Sequence, residues 1–140
     1  HTSKEPDLLH QLYRETWQKI VNPRMLSGHV QGRMLSMFSK MIRPKRILEI
    51  GTYTGYSALC LAEGLTETGE LITIDINDEL IPIQKKYFSL SPDGHKIKTI
   101  SGDAEKILPT LDTNFELVFM DADKSKYLIY YEFLMNRLPS

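Results

Sequence analysis

One pattern governs what this chain can fold into: a short apolar run that ends near an acidic residue, then a turn, then a helical stretch, repeated from residue 46 onward. Ile47-Leu48-Glu49-Ile50 runs into Gly51 and Gly55 and a helix expected from Tyr56 to Glu63. Glu70 to Asp75 leads to a helix near Glu79 to Leu90, with Asn77 or Asp78 as N-cap, and Ser91-Pro92-Asp93-Gly94 makes a turn. Ile97 to Ser101 precedes a helix from Glu105 to Leu111, and Phe115 to Asp121 is a fourth strand before a helix from Lys126 to Leu138. Strands alternating with helices require right-handed crossovers. The expected fold is therefore α/β, a doubly wound and mostly parallel sheet covered by helices, with ligands at the carboxyl ends of the strands.

Two amphipathic helices precede that core. Leu8, Leu9, Leu12, Tyr13, Trp17, Ile20 and Val21 recur at helical spacing until Asn22-Pro23 stops the run. Val30, Met34, Leu35, Phe38 and Met41 form a second stripe ending before Pro44, with the methionines expected as core filler. The 140 residues fit a single domain, with a helical cap over 1–45 and an incomplete core over 46–140. Seventeen basic residues against eighteen acidic ones give no overall basic field for nucleic acid or membrane. A single cysteine, Cys60, excludes an internal disulfide framework or a clustered-cysteine zinc site and points to a reducing, cytoplasmic setting. No apolar run approaches the roughly 20 residues of a membrane helix.

Chemistry concentrates at the strand ends. Glu49, Asp75 and Asp121 each sit at or near the carboxyl end of an expected strand, so one crevice would gather all three. Taken singly, such residues also serve as caps of the helices that follow. The loop Glu49-Ile50-Gly51-Thr52-Tyr53-Thr54-Gly55-Tyr56-Ser57 has tyrosines where a dinucleotide fingerprint needs small residues, and it lacks the Walker lysine. An adenosine without phosphates suits it better. Asp75, 24 residues after Gly51, would then accept hydrogen bonds from both ribose hydroxyls, and S-adenosylmethionine is such a ligand.

These residues, together with Ile72-Thr73-Ile74-Asp75, Gly102-Asp103-Ala104, Met120-Asp121-Ala122-Asp123-Lys124 and Tyr127, resemble the metal-dependent O-methyltransferases of the catechol and caffeoyl-CoA type. Met25-Leu26-Ser27-Gly28 resembles that family's loop over the methionine end of the cofactor, so the similarity covers nearly the whole chain. The resemblance implies a Rossmann-like methyltransferase core. It assigns Ser27, Glu49, Gly51, Thr52 and Ser57 to the methionyl portion, with Tyr53 the subfamily's residue in the loop, Asp75 to the ribose, and Gly102, Asp103 and Ala104 to the adenine side. It also makes Asp121 the first ligand of a divalent cation, expected to be magnesium, and Lys124 the general base. That pairing is chemically coherent, because methyl transfer needs an acceptor oxyanion aimed along the carbon–sulfur axis, and a cation beside a base supplies one.

The family completes its metal site with an Asp-Asn pair on a following strand, which lies past Ser140, so the last strands are expected to be absent here. A fourth strand without that neighbour would expose an edge and favour a homodimer. The expected partners are a small hydroxylated acceptor, catechol-like or phenolic, and no membrane. Two alternatives stand beside this reading: methylation of a hydroxylated uridine in transfer RNA, using Arg24, Arg33, Arg43, Lys45 and Arg46 as a basic surface, and a noncatalytic cofactor-binding fragment. Lys124 alone also reads as a solvated lysine, and His10, His29 and His95 have no ligand spacing.

Overall fold

The computed structural model describes residues 5–19, 29–112, 114–120 and 127–135. Two helices, α1 (Asp7–Lys19) and α2 (His29–Ile42), precede β1 (Arg46–Ile50), α3 (Tyr56–Ala62) and β2 (Glu70–Asp75). There follow α4 (Ile81–Leu90), β3 (Ile97–Ser101), α5 (Ala104–Ile107), β4 (Leu117–Met120) and α6 (Tyr127–Met135). The four strands are parallel, in the order β3-β2-β1-β4. The chain thus winds outward in both directions from β1, as a doubly wound sheet must.

Side chains alternate across this sheet, so each strand feeds two cores. Ile47 and Leu71 pack with Leu9, Leu12, Tyr56, Leu59, Ile83 and Phe88 on the face covered by α1, α3 and α4. Leu48, Ile50, Ile72 and Ile74 pack with Ala104, Leu108, Phe115, Tyr130 and Leu134 on the face covered by α5 and α6. Burial on both faces is why the central strands β1 and β2 read as largely apolar runs, whereas the edge strand β3 carries exposed Lys98 and Thr99.

Helix limits differ from the sequence reading where proline intervenes. The helix expected over 79–90 opens as a 3-10 turn, Asp78–Leu80, capped by the Asn77 side chain, which accepts from the Glu79 N–H at 3.0 Å. Pro82 then falls in the first turn of α4, where a missing N–H costs nothing. The helix expected over 105–111 divides into α5 and a 3-10 turn, Leu108–Thr110, at Pro109.

A larger correction concerns α2. Val30, Met34, Phe38 and Met41 were expected to face the core, yet all four are exposed, Met41 most of all at 73%. The helix instead buries Gly32, Ser36 and Ser39 against α3. A Cβ on Gly32 would lie 2.7 Å from the Tyr56 ring, and one on Gly64, just past α3, would lie 2.2 Å from the Ser39 backbone, so there is no room between the two elements for a stripe of large apolar side chains. The methionines of α2 are not core filler.

That small-residue face is pinned by charge. Arg33 donates to both carboxylate oxygens of Glu63, at 3.1 and 2.6 Å, and Ser36 donates to the same carboxylate at 3.1 Å. Burial pushes the Glu63 carboxyl upward, but Arg33, Ser36 and Lys40 outweigh it and hold the group below its ordinary value. Ser39 donates to the Leu61 carbonyl at 2.6 Å. Helix α3 is therefore clamped from α2, and α3 begins at the loop that carries the site.

Candidate functional site

The site is built on the turn between β1 and α3. Gly51, at φ 104°, donates its N–H to the Ile74 carbonyl at 2.8 Å and leaves the ladder in a conformation that favours glycine. Tyr53 is left-handed too, at φ 51°, a state that costs a tyrosine about 1–3 kcal/mol. Two contacts hold it there: its N–H donates to Asp75 Oδ2 at 2.7 Å, and its carbonyl accepts from Gln84 Nε2. Gly55, at φ 97°, ends the turn as the N-cap of α3 and donates to the Thr52 carbonyl at 3.0 Å.

Asp75 is the hub. Its Oδ1 accepts the Asn77 N–H at 3.0 Å while Oδ2 holds Tyr53. The Asp75 carbonyl accepts the Gly102 N–H at 2.9 Å, which ties in the turn that follows β3. Beside it opens a cavity of about 250 Å³ lined by Thr52, Asp75, Gln84, Lys85, Thr99 and Ser101, with Asn77, Ile81 and Ile100 completing the wall. The cavity lies at the carboxyl ends of β2 and β3 beside the β1 turn, where a doubly wound sheet binds ligands.

Beneath it lies a buried polar cluster. Glu49 is fully buried and accepts from Ser57 Oγ and, at 2.7 Å, from Thr73 Oγ1. Thr73 Oγ1 is also 2.6 Å from Thr52 Oγ1. These contacts follow from register, because Glu49 pairs with Thr73 across β1 and β2 and therefore shares its face. Thr52 and Ser57 enter from the turn and from the first residues of α3.

Of the residues singled out from sequence, Thr52 and Asp75 line the cavity, whereas Glu49 and Ser57 do not and are buried in the cluster joined to it through Thr52. Gly51 and Tyr53 shape the turn. Asp103 caps α5 by accepting from the Glu105 N–H at 3.0 Å, and Ala104 is buried behind it. Ser27, Asp121 and Lys124 lie outside the described residues, Asp121 being next in the chain after Met120 at the end of β4. Among the described residues no three His, Cys, Asp or Glu side chains gather as a metal site requires. None of their helices is long and apolar enough to cross a membrane.

Thr73 and Gln84 were not anticipated as site residues. The signal for Thr73 was present, since it is the one polar residue inside the apolar run Leu71 to Ile74. Gln84 carries no such signal, and its buried amide on α4 emerges only from the structure. The supposed basic surface is weakened by pairing: Arg33 is committed to Glu63, while Arg46 binds Glu70 at 3.0 Å and lies over the Phe115 ring. Arg46 also begins β1, at the end of the sheet opposite the cavity.

The chain matches the O-methyltransferase family over residues 1–139. It is 33% identical to an O-methyltransferase of Aspergillus hancockii, aligning 97% of this chain with 55% of that one. It is 35% identical to a caffeoyl-CoA O-methyltransferase of Petroselinum crispum, over 95% of this chain and 57% of the other. The SAH-bound methyltransferase of Podospora anserina superposes with a TM-score of 0.90 at 33% identity, covering 98% of this chain and 59% of that one. The chain therefore spans little more than half the length of the relatives it matches, and it belongs to the O-methyltransferase family.

Proposed function

We propose that this protein binds S-adenosylmethionine in the cavity beside Asp75 and that its family activity is methyl transfer to a hydroxyl of a small catechol-like or phenolic acceptor. The observation that carries the reading is the state of the Asp75 carboxylate. Each of its oxygens is fixed by one backbone N–H, from Asn77 and from Tyr53, and each keeps acceptor capacity on the cavity side. Two fixed acceptors side by side match the two hydroxyls of a ribose. The SAH in the Podospora relative supports the same ligand class.

In this reading Thr52 meets the methionyl portion at the cavity wall, Glu49 and Ser57 act from the buried cluster bonded behind it, and the turn at Gly51 brings backbone close. The buried cluster is preorganised, so binding requires little reordering of these side chains. Asp121 and Lys124 complete the chemistry, Lys124 removing the acceptor proton and Asp121 helping to hold a divalent cation, expected to be magnesium. That cation would lower the pKa of the acceptor hydroxyl. The protein's own contribution is alignment, since displacement at the methyl carbon requires oxygen, carbon and sulfur in line.

The test is transfer of labelled methyl from S-adenosylmethionine to a catechol and phenol panel, with magnesium and with chelator. Metal-dependent labelling of a hydroxyl is expected. Labelling that persists in chelator would remove the metal from the account, and cofactor binding without labelling of any acceptor would favour a noncatalytic role.

A further inference from the structure

We propose that Thr73, on the central strand β2, is a positioning residue that sets the direction of a hydroxyl relay running from Thr52 through Thr73 to Glu49. A carboxylate can only accept hydrogen bonds, so the Thr73 hydroxyl, 2.7 Å from Glu49 Oε1, must spend its single proton there. With that proton spent, Thr73 can only accept from Thr52, 2.6 Å away. Thr52 is thereby the donor of that pair. Its own proton is used, and toward the cavity it lines it presents lone pairs alone. Ser57 spends its proton on the other oxygen of Glu49 in the same way.

The result is a patch of wall at Thr52, the one member of the relay that lines the cavity, that accepts and does not donate, produced by a residue absent from that wall. All the side chains involved are at least 95% buried, Glu49 and Thr73 completely, so water does not compete for these bonds. Such a patch favours a ligand group rich in N–H donors. On the cofactor reading above, on which this inference rests, that group is the ammonium of the methionyl portion. Removing the Thr73 hydroxyl frees the Thr52 proton to turn toward the ligand, where it would oppose an ammonium, and leaves Glu49 one donor short.

The experiment is calorimetric titration of wild type, Thr73→Val and Thr73→Ser with two ligands: S-adenosylhomocysteine, which has the ammonium, and 5′-methylthioadenosine, which lacks the amino-acid portion. Thr73→Val should weaken S-adenosylhomocysteine about tenfold, equivalent to about 1.4 kcal/mol, and leave 5′-methylthioadenosine within about twofold. Thr73→Ser should restore the wild-type value, because it returns the hydroxyl. If Thr73→Val does not fold, Thr73→Cys replaces it, with a weak S–H donor of similar size and the same expected split between ligands. Equal weakening of both ligands, unchanged binding of S-adenosylhomocysteine, or failure of serine to rescue would each overturn the relay. Wild-type protein that binds neither ligand would instead refute the cofactor reading itself.

Discussion

Replacing Gly55 by alanine places two penalties on one added carbon. The residue sits at φ 97°, where an alanine costs about 1–2 kcal/mol relative to its preferred backbone states. The new Cβ would also lie 2.6 Å from Cε1 of Phe88. That ring is only 8% exposed and belongs to the core beneath α3 and α4, so it cannot swing into solvent, and overpacking of this kind costs about 1–3 kcal/mol. The sum, about 2–5 kcal/mol, is a large part of the 5–15 kcal/mol that holds a typical domain. Urea denaturation followed by circular dichroism should show a lower midpoint with unchanged slope. In a Phe88→Leu background the steric part should be relieved, reducing the cost of Gly55→Ala to the conformational part of about 1–2 kcal/mol. A Gly55→Ala cost below about 0.5 kcal/mol, or the same cost in both backgrounds, would refute this account of the turn.

Three other perturbations probe the clamp and the site. The Glu63 carboxyl titrates below its ordinary value in the folded chain, so its stabilisation is full above the unfolded value near 4.5 and disappears as pH falls through the depressed folded value. Glu63→Gln should therefore destabilise the protein by about 2 kcal/mol at pH 7, with the gap to wild type closing in acid unfolding curves. Burial pushes the Cys60 thiol up to about 12 against the opposing pull of Arg33, so a thiol reagent at pH 8 should label it only as fast as the protein unfolds; rapid labelling of native protein would contradict its packing. Asp75→Ala should chiefly weaken cofactor binding and Lys124→Ala chiefly lower kcat, and steady-state kinetics giving the two variants the same signature would break the proposed division of roles.

The central strands were legible because strands buried on both faces are mostly apolar, and Ile47 to Ile50 and Leu71 to Ile74 are so but for Glu49 and Thr73. Acidic residues at the ends of such runs stand out, which is how Glu49 and Asp75 could be read. Helix α2 misled for a physical reason. Periodicity identifies an apolar stripe but not the distance of the partner helix, and at the close approach between α2 and α3 the fully buried residues are Gly32, Ser36 and Ser39, and of the expected stripe Leu35 alone packs on the core. Thr73 was visible as the polar residue of its run, but its pairing with Glu49 was not, because a single strand does not reveal which residue lies opposite. The capping role of Asp103 shows the converse, a residue chosen for the site whose side chain is engaged in starting a helix.

On the proposed function, the cavity beside Asp75 receives S-adenosylmethionine through its ribose. Calorimetric titration of the protein with S-adenosylhomocysteine, for wild type and Asp75→Asn in parallel, tests it most directly. Asparagine keeps one acceptor oxygen and turns the other into a donor, so the account predicts one site per chain in wild type and binding weakened by about thirtyfold or more in the variant. Binding that is absent in wild type, or equal in the two proteins, would contradict it.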